Sequence, residues 1–246
     1  MSASGKVALV TGAATGVGRA CAIRFAEAGV NLVVNFLGPD EEDAMETVRR
    51  CDSLAVSAVP VKCDVSDDSA TVEMAESTKR HFGRLDVLVN CAGTTHFVEH
   101  SDLRGMTEAM WDQILAVNTK GPFFVTRACE ELLRAGGGGS IVNVSSVAGV
   151  SGAGSSVAYC ASKGALNTMT KSLARALAPA IRVNAVCPGP IDSGWLRKGM
   201  TDEQMQQRVA SFPIPRLAQP DDIVDAIEYL AVGTSLTTGQ ILVVDG

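Results

Sequence analysis

Seven short apolar runs, each nearly unbroken and rich in Val and Ile, alternate with longer helical patterns along the 246-residue chain. They are Val7–Val10, Asn31–Phe36, Ala55–Cys63, Leu85–Asn90, Ser140–Ser145, Ile181–Cys187 and Gln240–Val244. A strand wetted on one side alternates apolar and polar residues, whereas a continuous apolar run suits a strand covered on both faces. Strand–helix alternation of this kind implies an α/β, doubly wound architecture: one parallel sheet with right-handed crossovers and helices on both faces. No internal repeat or long linker divides the chain, so residues 1–246 are expected to form one domain. Ligands of such sheets bind beyond the C-terminal ends of the strands, so the chemistry is expected on the loops that follow them.

The helices have readable ends. Gly16–Ala28 closes at Gly29, a C-terminal cap signal. Pro39-Asp40-Glu41-Glu42 opens a helix that ends in Arg49-Arg50, charges that complement the helix dipole. Ser66-Asp67-Asp68 opens the next, Thr107 to about Arg134 reads as one long helix, and Ser156–Ala178 follows. Thr201-x-x-Gln204 is a capping box for a short helix, and Pro220 opens the last.

Composition excludes several classes. With 21 Lys+Arg against 27 Asp+Glu the net charge is −6, and no basic cluster offers a nucleic-acid surface. No apolar run approaches the roughly 18–20 residues of a membrane span. The start, Met1 to Lys6, leads directly into a strand with no signal-peptide pattern, so a cytoplasmic location is expected. Seven cysteines, none in a C-x-x-C pair, read as buried free thiols rather than a disulfide or zinc scaffold.

Thr11-Gly12-Ala13-Ala14-Thr15-Gly16-Val17-Gly18 follows the first strand and opens the first helix. Gly12 permits the tight turn, Gly16 lets the backbone approach a pyrophosphate, and Gly18 allows close packing. The free N–H groups at the helix start then face the anion. Asp64-Val65 ends the third strand, where a carboxylate could accept from an adenine amino group. Asn90-Cys91-Ala92-Gly93 ends the fourth, where small residues would let a flat ligand lie close. The second strand ends at Asn35-Phe36-Leu37, which offers neither the acid that grips a ribose 2′-hydroxyl nor the base that favours a 2′-phosphate. Asp40–Asp43 would repel such a phosphate, so charge in this stretch leaves the choice open.

Tyr159 and Lys163 stand four residues apart near a helix start, so their side chains share a face. Bringing a phenol from pH 10 to 7 takes about 4 kcal/mol. A cation about 4–6 Å away, at an effective dielectric of ~20, supplies about 3–4 kcal/mol. Lys163, helped by an oxidised nicotinamide, is therefore expected to make Tyr159 a working acid/base. Ser145-Ser146 ends the fifth strand, where a hydroxyl can hydrogen-bond a carbonyl oxygen. Asn118 is a polar residue in an otherwise apolar helical stretch.

Thr11–Gly18, Asp64-Val65, Asn90–Gly93, Asn118, Ser146, Tyr159/Lys163 and Pro188-Gly189-Pro190-Ile191 occur together and in order. In this the chain resembles the short-chain dehydrogenase/reductases, over about residues 5–246. The resemblance implies a seven-stranded Rossmann sheet that binds NAD(H) or NADP(H) and interconverts a secondary alcohol with a ketone or aldehyde by hydride transfer. It implies Tyr159 as acid/base and Ser146, thirteen residues earlier, as the group polarising the substrate oxygen. Lys163 would hold the nicotinamide ribose and acidify the phenol, and Asn118 would position a relay water. Cofactor contacts would come from Gly12, Thr15, Gly16, Val17, Gly18, Asn35, Asp64, Val65, Asn90, Ala92, Gly93, Tyr159, Lys163, Pro188, Gly189, Ile191 and Ser193. Asn35-Phe36 favours NADP(H) by resemblance, against the missing basic residue at Thr15. The final helix and Gln240–Val244 resemble the family's dimer and tetramer surfaces, implying a homotetramer or homodimer acting on a small molecule.

The segment 192–215 is expected to form a substrate cover, with Trp195, Leu196, Met200, Met205 and Phe212 as its apolar face. Relatives that reduce 3-oxoacyl groups on a carrier protein tend to have a basic residue before the sixth strand. Here Ala178-Pro179-Ala180-Ile181 is uncharged, and only Arg134 lies near the other expected patch. A carrier-bound thioester and a catalytically silent dinucleotide-binding regulator are the alternatives. His96-Phe97-Val98-Glu99-His100 spells an inverted zinc-peptidase motif. That chemistry needs a long helix, which Gly105 interrupts, so no metal is expected.

Overall fold

In the computed structural model, which describes residues 3–194, 201–210 and 212–246, seven parallel strands form one sheet in the order β3-β2-β1-β4-β5-β6-β7. They are β1 (Val7–Val10), β2 (Asn31–Phe36), β3 (Ala58–Lys62), β4 (Val87–Asn90), β5 (Gly139–Val144), β6 (Ile181–Pro188) and β7 (Ile241–Val244). The order reverses between β1 and β4, whose registers pair Ala8 with Val87 and Val10 with Val89. The crevice of a doubly wound sheet opens at that reversal.

One face of the sheet packs on α1 (Gly16–Glu27), α2 (Glu41–Asp52) and α9 (Pro220–Glu228), with Phe25, Val48 and Ile223 in its core. The other packs on α3 (Asp68–Phe82), α5 (Gly121–Ala135) and α7 (Val157–Leu177), around Met74, Leu133 and Leu177. The remaining helices are α4 (Glu108–Leu115), α6 (Ala148–Ser151) and α8 (Asp202–Val209). Caps foreseen from sequence form: Asp67 accepts from Ser69 and Ala70 N–H at the start of α3, and Thr201 and Gln204 bond reciprocally before α8.

Four features differ from the sequence expectation. Strand β3 starts at Ala58 rather than Ala55, because Ala55 adopts φ +61° in a turn after α2. The edge strands β3 and β7 are only partly covered, since each lacks a neighbour on one side. The long helix is broken by a π turn, Ala116–Lys120, in which Gly121 N–H reaches back five residues to the Ala116 carbonyl. The short α6 was not foreseen. At the opposite end of the sheet from the crevice, Arg182 donates to the carbonyls of Leu230 (2.7 Å), Ala231 (2.8 Å) and Thr237 (3.2 Å). It thereby caps the π turn Tyr229–Gly233 that extends α9. Among the described residues no helix is long and apolar enough to cross a membrane.

Candidate active site

The glycine loop closes the crevice floor. Gly12 has φ +63°, and a Cβ there would lie 2.9 Å from Ala92 Cα, so the loops after β1 and β4 touch. Thr11 locks the same contact, its hydroxyl accepting from Cys91 N–H (2.9 Å) and Ala92 N–H (3.0 Å). A Cβ on Gly18 would stand 2.2 Å from the Gly12 carbonyl oxygen, so only glycine lets the loop fold back on α1. Gly16, by contrast, has φ +55° with open space on its outer side. Thr15, the N-cap of α1, makes no side-chain cap bond. The α1 N-terminus thus offers amide donors beside open space, a cradle that fits a pyrophosphate.

Around that cradle the expected contacts fall into two groups. Thr15, Gly16 and Val17 line the loop; Asp64 and Gly93 are exposed, and Ala92, Gly189, Ile191 and Ser193 partly so. Asp64 is held in place by Ser66, whose N–H (2.9 Å) and hydroxyl (2.7 Å) donate to Oδ1. Pro188 carries a carbonyl that accepts from Val147 N–H, and Val65 is buried against Gly121. Asn35 and Asn90 depart from the expectation. The Asn35 side chain is 1 % exposed, accepting from Gly12 N–H (3.2 Å) and donating to the Val61 (3.2 Å) and Cys63 (3.1 Å) carbonyls. It shapes the crevice from beneath instead of reaching a ribose. Asn90 is equally buried and donates to Asn143 Oδ1 (2.9 Å).

The reacting groups converge at the C-terminal end of β5. Ser145 continues the β5–β6 pairing, and its buried hydroxyl donates to the Lys163 carbonyl (3.2 Å). Ser146 is therefore the serine left facing the crevice, and it hydrogen-bonds the Tyr159 phenol. Tyr159 lies on the first turn of α7, whose N-cap Ser156 accepts from Tyr159 N–H (3.3 Å). One turn on, Lys163 is 4 % exposed, its Nζ 5.8 Å from the Tyr159 ring centroid and 2.9 Å from the Val144 carbonyl.

The electrostatics differ from the sequence estimate. Burial pushes the phenol up to about 12, and the Ser146 hydrogen bond recovers only part of that rise. Burial also lowers Lys163 to about 8. The Lys163 ammonium is bonded to a main-chain carbonyl and is itself poorly solvated, so burial sets the direction of both groups. Burial penalises the charged form of each, the phenolate and the ammonium alike.

Asn118 sits in the π turn, 1 % exposed, and its side chain is fully engaged. It accepts from Thr94 N–H (2.8 Å) and donates to the Thr94 carbonyl (2.9 Å) and Ser162 Oγ (3.1 Å). Ser162, fully buried, donates onward to the Tyr159 carbonyl (2.8 Å). Asn118 thus clamps the loop after β4 to the Tyr159 helix. Sequence reading missed Ser162, whose burial and partners leave no periodic signal.

His96 and His100 lie in non-helical chain and turn to separate partners, Gln113 Oε1 (2.8 Å) and the Gly154 carbonyl (3.1 Å). In the expected cover Met205 is buried and Phe212 half-buried; Trp195, Leu196 and Met200 fall outside the described residues.

Comparison with known proteins accounts for this arrangement. Residues 12–246 match the family model described as "Enoyl-(Acyl carrier protein) reductase". The chain is 39 % identical over 241 residues, 98 % of this chain and 94 % of the relative, to "Granaticin polyketide synthase putative ketoacyl reductase 2" of Streptomyces violaceoruber. It is 36 % identical over 248 residues, 100 % of this chain and 98 % of the relative, to the 3-oxoacyl-acyl-carrier-protein reductase FabG of Thermotoga maritima. A crystal structure of a putative short-chain dehydrogenase/reductase from Burkholderia xenovorans superposes with a TM-score of 0.92 at 34 % identity, covering 98 % of this chain and 96 % of that one. The chain belongs to the short-chain dehydrogenase/reductase family. It is an NAD(P)-dependent oxidoreductase acting on carbonyl and CH–OH groups.

Proposed function

We propose that Tyr159 is the acid/base of a reversible ketone–alcohol interconversion on a free small molecule, with Ser146 holding the substrate oxygen. The observation that carries this reading is the convergence of the Tyr159 phenol, the Ser146 hydroxyl and the buried Lys163 at the strand end beside the glycine cradle. Bound nicotinamide dinucleotide supplies the hydride and, when oxidised, a positive charge. The chain's residues handle the proton. A phenol held near 12 is protonated at neutral pH, so Tyr159 enters as the acid that donates to a carbonyl oxygen. Ser146 donates to the same oxygen and fixes its position. Lys163, anchored on Val144, presents its charge beneath the phenol ring, and Asn118 with Ser162 holds α7 in place. The dinucleotide would lie on Gly12–Gly18, Asp64-Val65, Ala92-Gly93 and Pro188–Ser193, with NADP(H) preferred.

Arg134, the basic residue nearest the patch expected to meet an acidic carrier, is paired with Glu130 at 2.9 Å. This favours a free substrate over a carrier-bound thioester. Residues 1–246 would act as one unit in the cytoplasm, with 192–215 as its cover. The exposed Leu242 and Val243 of β7 support self-association as a homotetramer or homodimer. Tyr159→Phe tests the assignment: turnover of a ketone panel is lost while cofactor binding persists. Retained turnover would refute the role, and binding without turnover in the unaltered protein would favour the silent regulator.

A further inference from the structure

We propose that Lys62, delivered from β3, is the residue that selects a 2′-phosphorylated dinucleotide. The inference rests on the dinucleotide-binding reading above. In a doubly wound sheet the adenosine ribose lies over the end of the second strand, and the charge beside its 2′ position decides between a hydroxyl and a phosphate. Strand β2 ends at Phe36, followed by Leu37 and Gly38, with no acid before Asp40. Its one polar candidate, Asn35, is buried and bonded to main chain, so β2 itself offers nothing to a ribose hydroxyl. The register pairs Phe36 with Lys62 on β3. Side chains alternate along a strand; Val61 and Cys63 pack on the α3–α5 side, so Lys62 points toward α2 and the loop after β2.

Its position there is close. A Cβ built on Gly38 would lie 3.1 Å from Lys62 Cε and 3.3 Å from Nζ. Glycine therefore makes room for the ammonium beside the loop. Among the described residues the Lys62 ammonium has no ion-pair or hydrogen-bond partner, so its charge is available. The opposing charges nearby are Asp40, Glu41, Glu42, Asp43 and Asp64. Asp43 is neutralised by Arg19 at 2.7 Å, and Asp64 is turned into its own loop by Ser66. Asp40, Glu41 and Glu42 remain as charges that oppose a phosphate, and Lys62 is the cation from the neighbouring strand that offsets them. An ammonium to phosphate bond is of the strong, charge-assisted kind.

The test is equilibrium titration of NADPH and NADH, by ligand fluorescence, onto the protein and its Lys62→Gln and Lys62→Arg variants. The unaltered protein is expected to bind NADPH about tenfold tighter than NADH. Lys62→Gln should weaken NADPH about tenfold and leave NADH within about twofold, while Lys62→Arg retains the preference. Added salt should weaken NADPH binding more than NADH binding in the unaltered protein, and equally in Lys62→Gln. Equal losses for both dinucleotides, or undiminished NADPH binding in Lys62→Gln, would overturn the assignment while leaving the dinucleotide site standing. Failure of the unaltered protein to bind either would overturn the function reading and this inference with it.

Discussion

Lys163→Met should stabilise the unliganded protein at neutral pH while abolishing activity. Burial lowers Lys163 from 10.5 to about 8, a cost of about 3 kcal/mol to the native ammonium at about 1.4 kcal/mol per pH unit. Methionine fills a similar volume without charge, but leaves the Val144 carbonyl without its 2.9 Å donor. An unpaired buried acceptor costs about 1–2 kcal/mol. The net gain at pH 7 is therefore about 1–2 kcal/mol. Between pH 8 and 10.5 the unfolded chain binds more protons at this lysine than the native one, so its contribution to stability rises with pH. By pH 10 most of the native penalty has gone, and the variant becomes the less stable form by somewhat less than the cost of the orphaned carbonyl. The buried cysteines and Tyr159 titrate in both proteins and largely cancel in the difference. Urea unfolding of both proteins without cofactor, at several pH values from 7 to 10, reads the effect. A stability difference that stays constant across that range would refute the reasoning.

Two further substitutions probe the scaffold. Arg182→Met leaves the Ala231 carbonyl without its donor and the Leu230 carbonyl with only the Ser140 hydroxyl (3.2 Å), and should cost about 1–3 kcal/mol in urea unfolding; a loss below about 0.5 kcal/mol would show that water replaces the guanidinium. Gly18→Ala places a methyl 2.2 Å from the Gly12 carbonyl oxygen, and the forced movement of the loop should weaken dinucleotide binding about tenfold or more; unaltered binding would place the ligand elsewhere.

The sheet was legible because β1, β2, β5 and β6 are covered on both faces and carry no alternation to confuse with a helix. Boundaries slipped where burial is partial: β3 is an edge strand, and the left-handed Ala55 before it has the composition of a strand residue. The π turn at Asn118 is hard to read because apolar residues run on both sides of it, Ile114, Leu115 and Val117 before and Phe123 and Phe124 after, as in one continuous helix. Serine pairs look alike in sequence, yet Ser145 is buried in the β5–β6 pairing and Ser146 is not. Tyr159 and Lys163 share a face as their spacing requires, but spacing says nothing of desolvation, which sets the direction of both pKa values. Lys62 was overlooked for a related reason: register, not sequence proximity, brings β3 beside the loop after β2.

The proton chemistry of Tyr159 is measured most directly by carbon-13 tyrosine resonance titration, with Tyr159→Phe to separate it from Tyr229. The unliganded protein should show no ionisation of Tyr159 up to about pH 10.5, and binding of the oxidised dinucleotide should bring ionisation below about pH 9. A phenol that ionises near pH 10 in the free protein and stays there on binding would contradict the account.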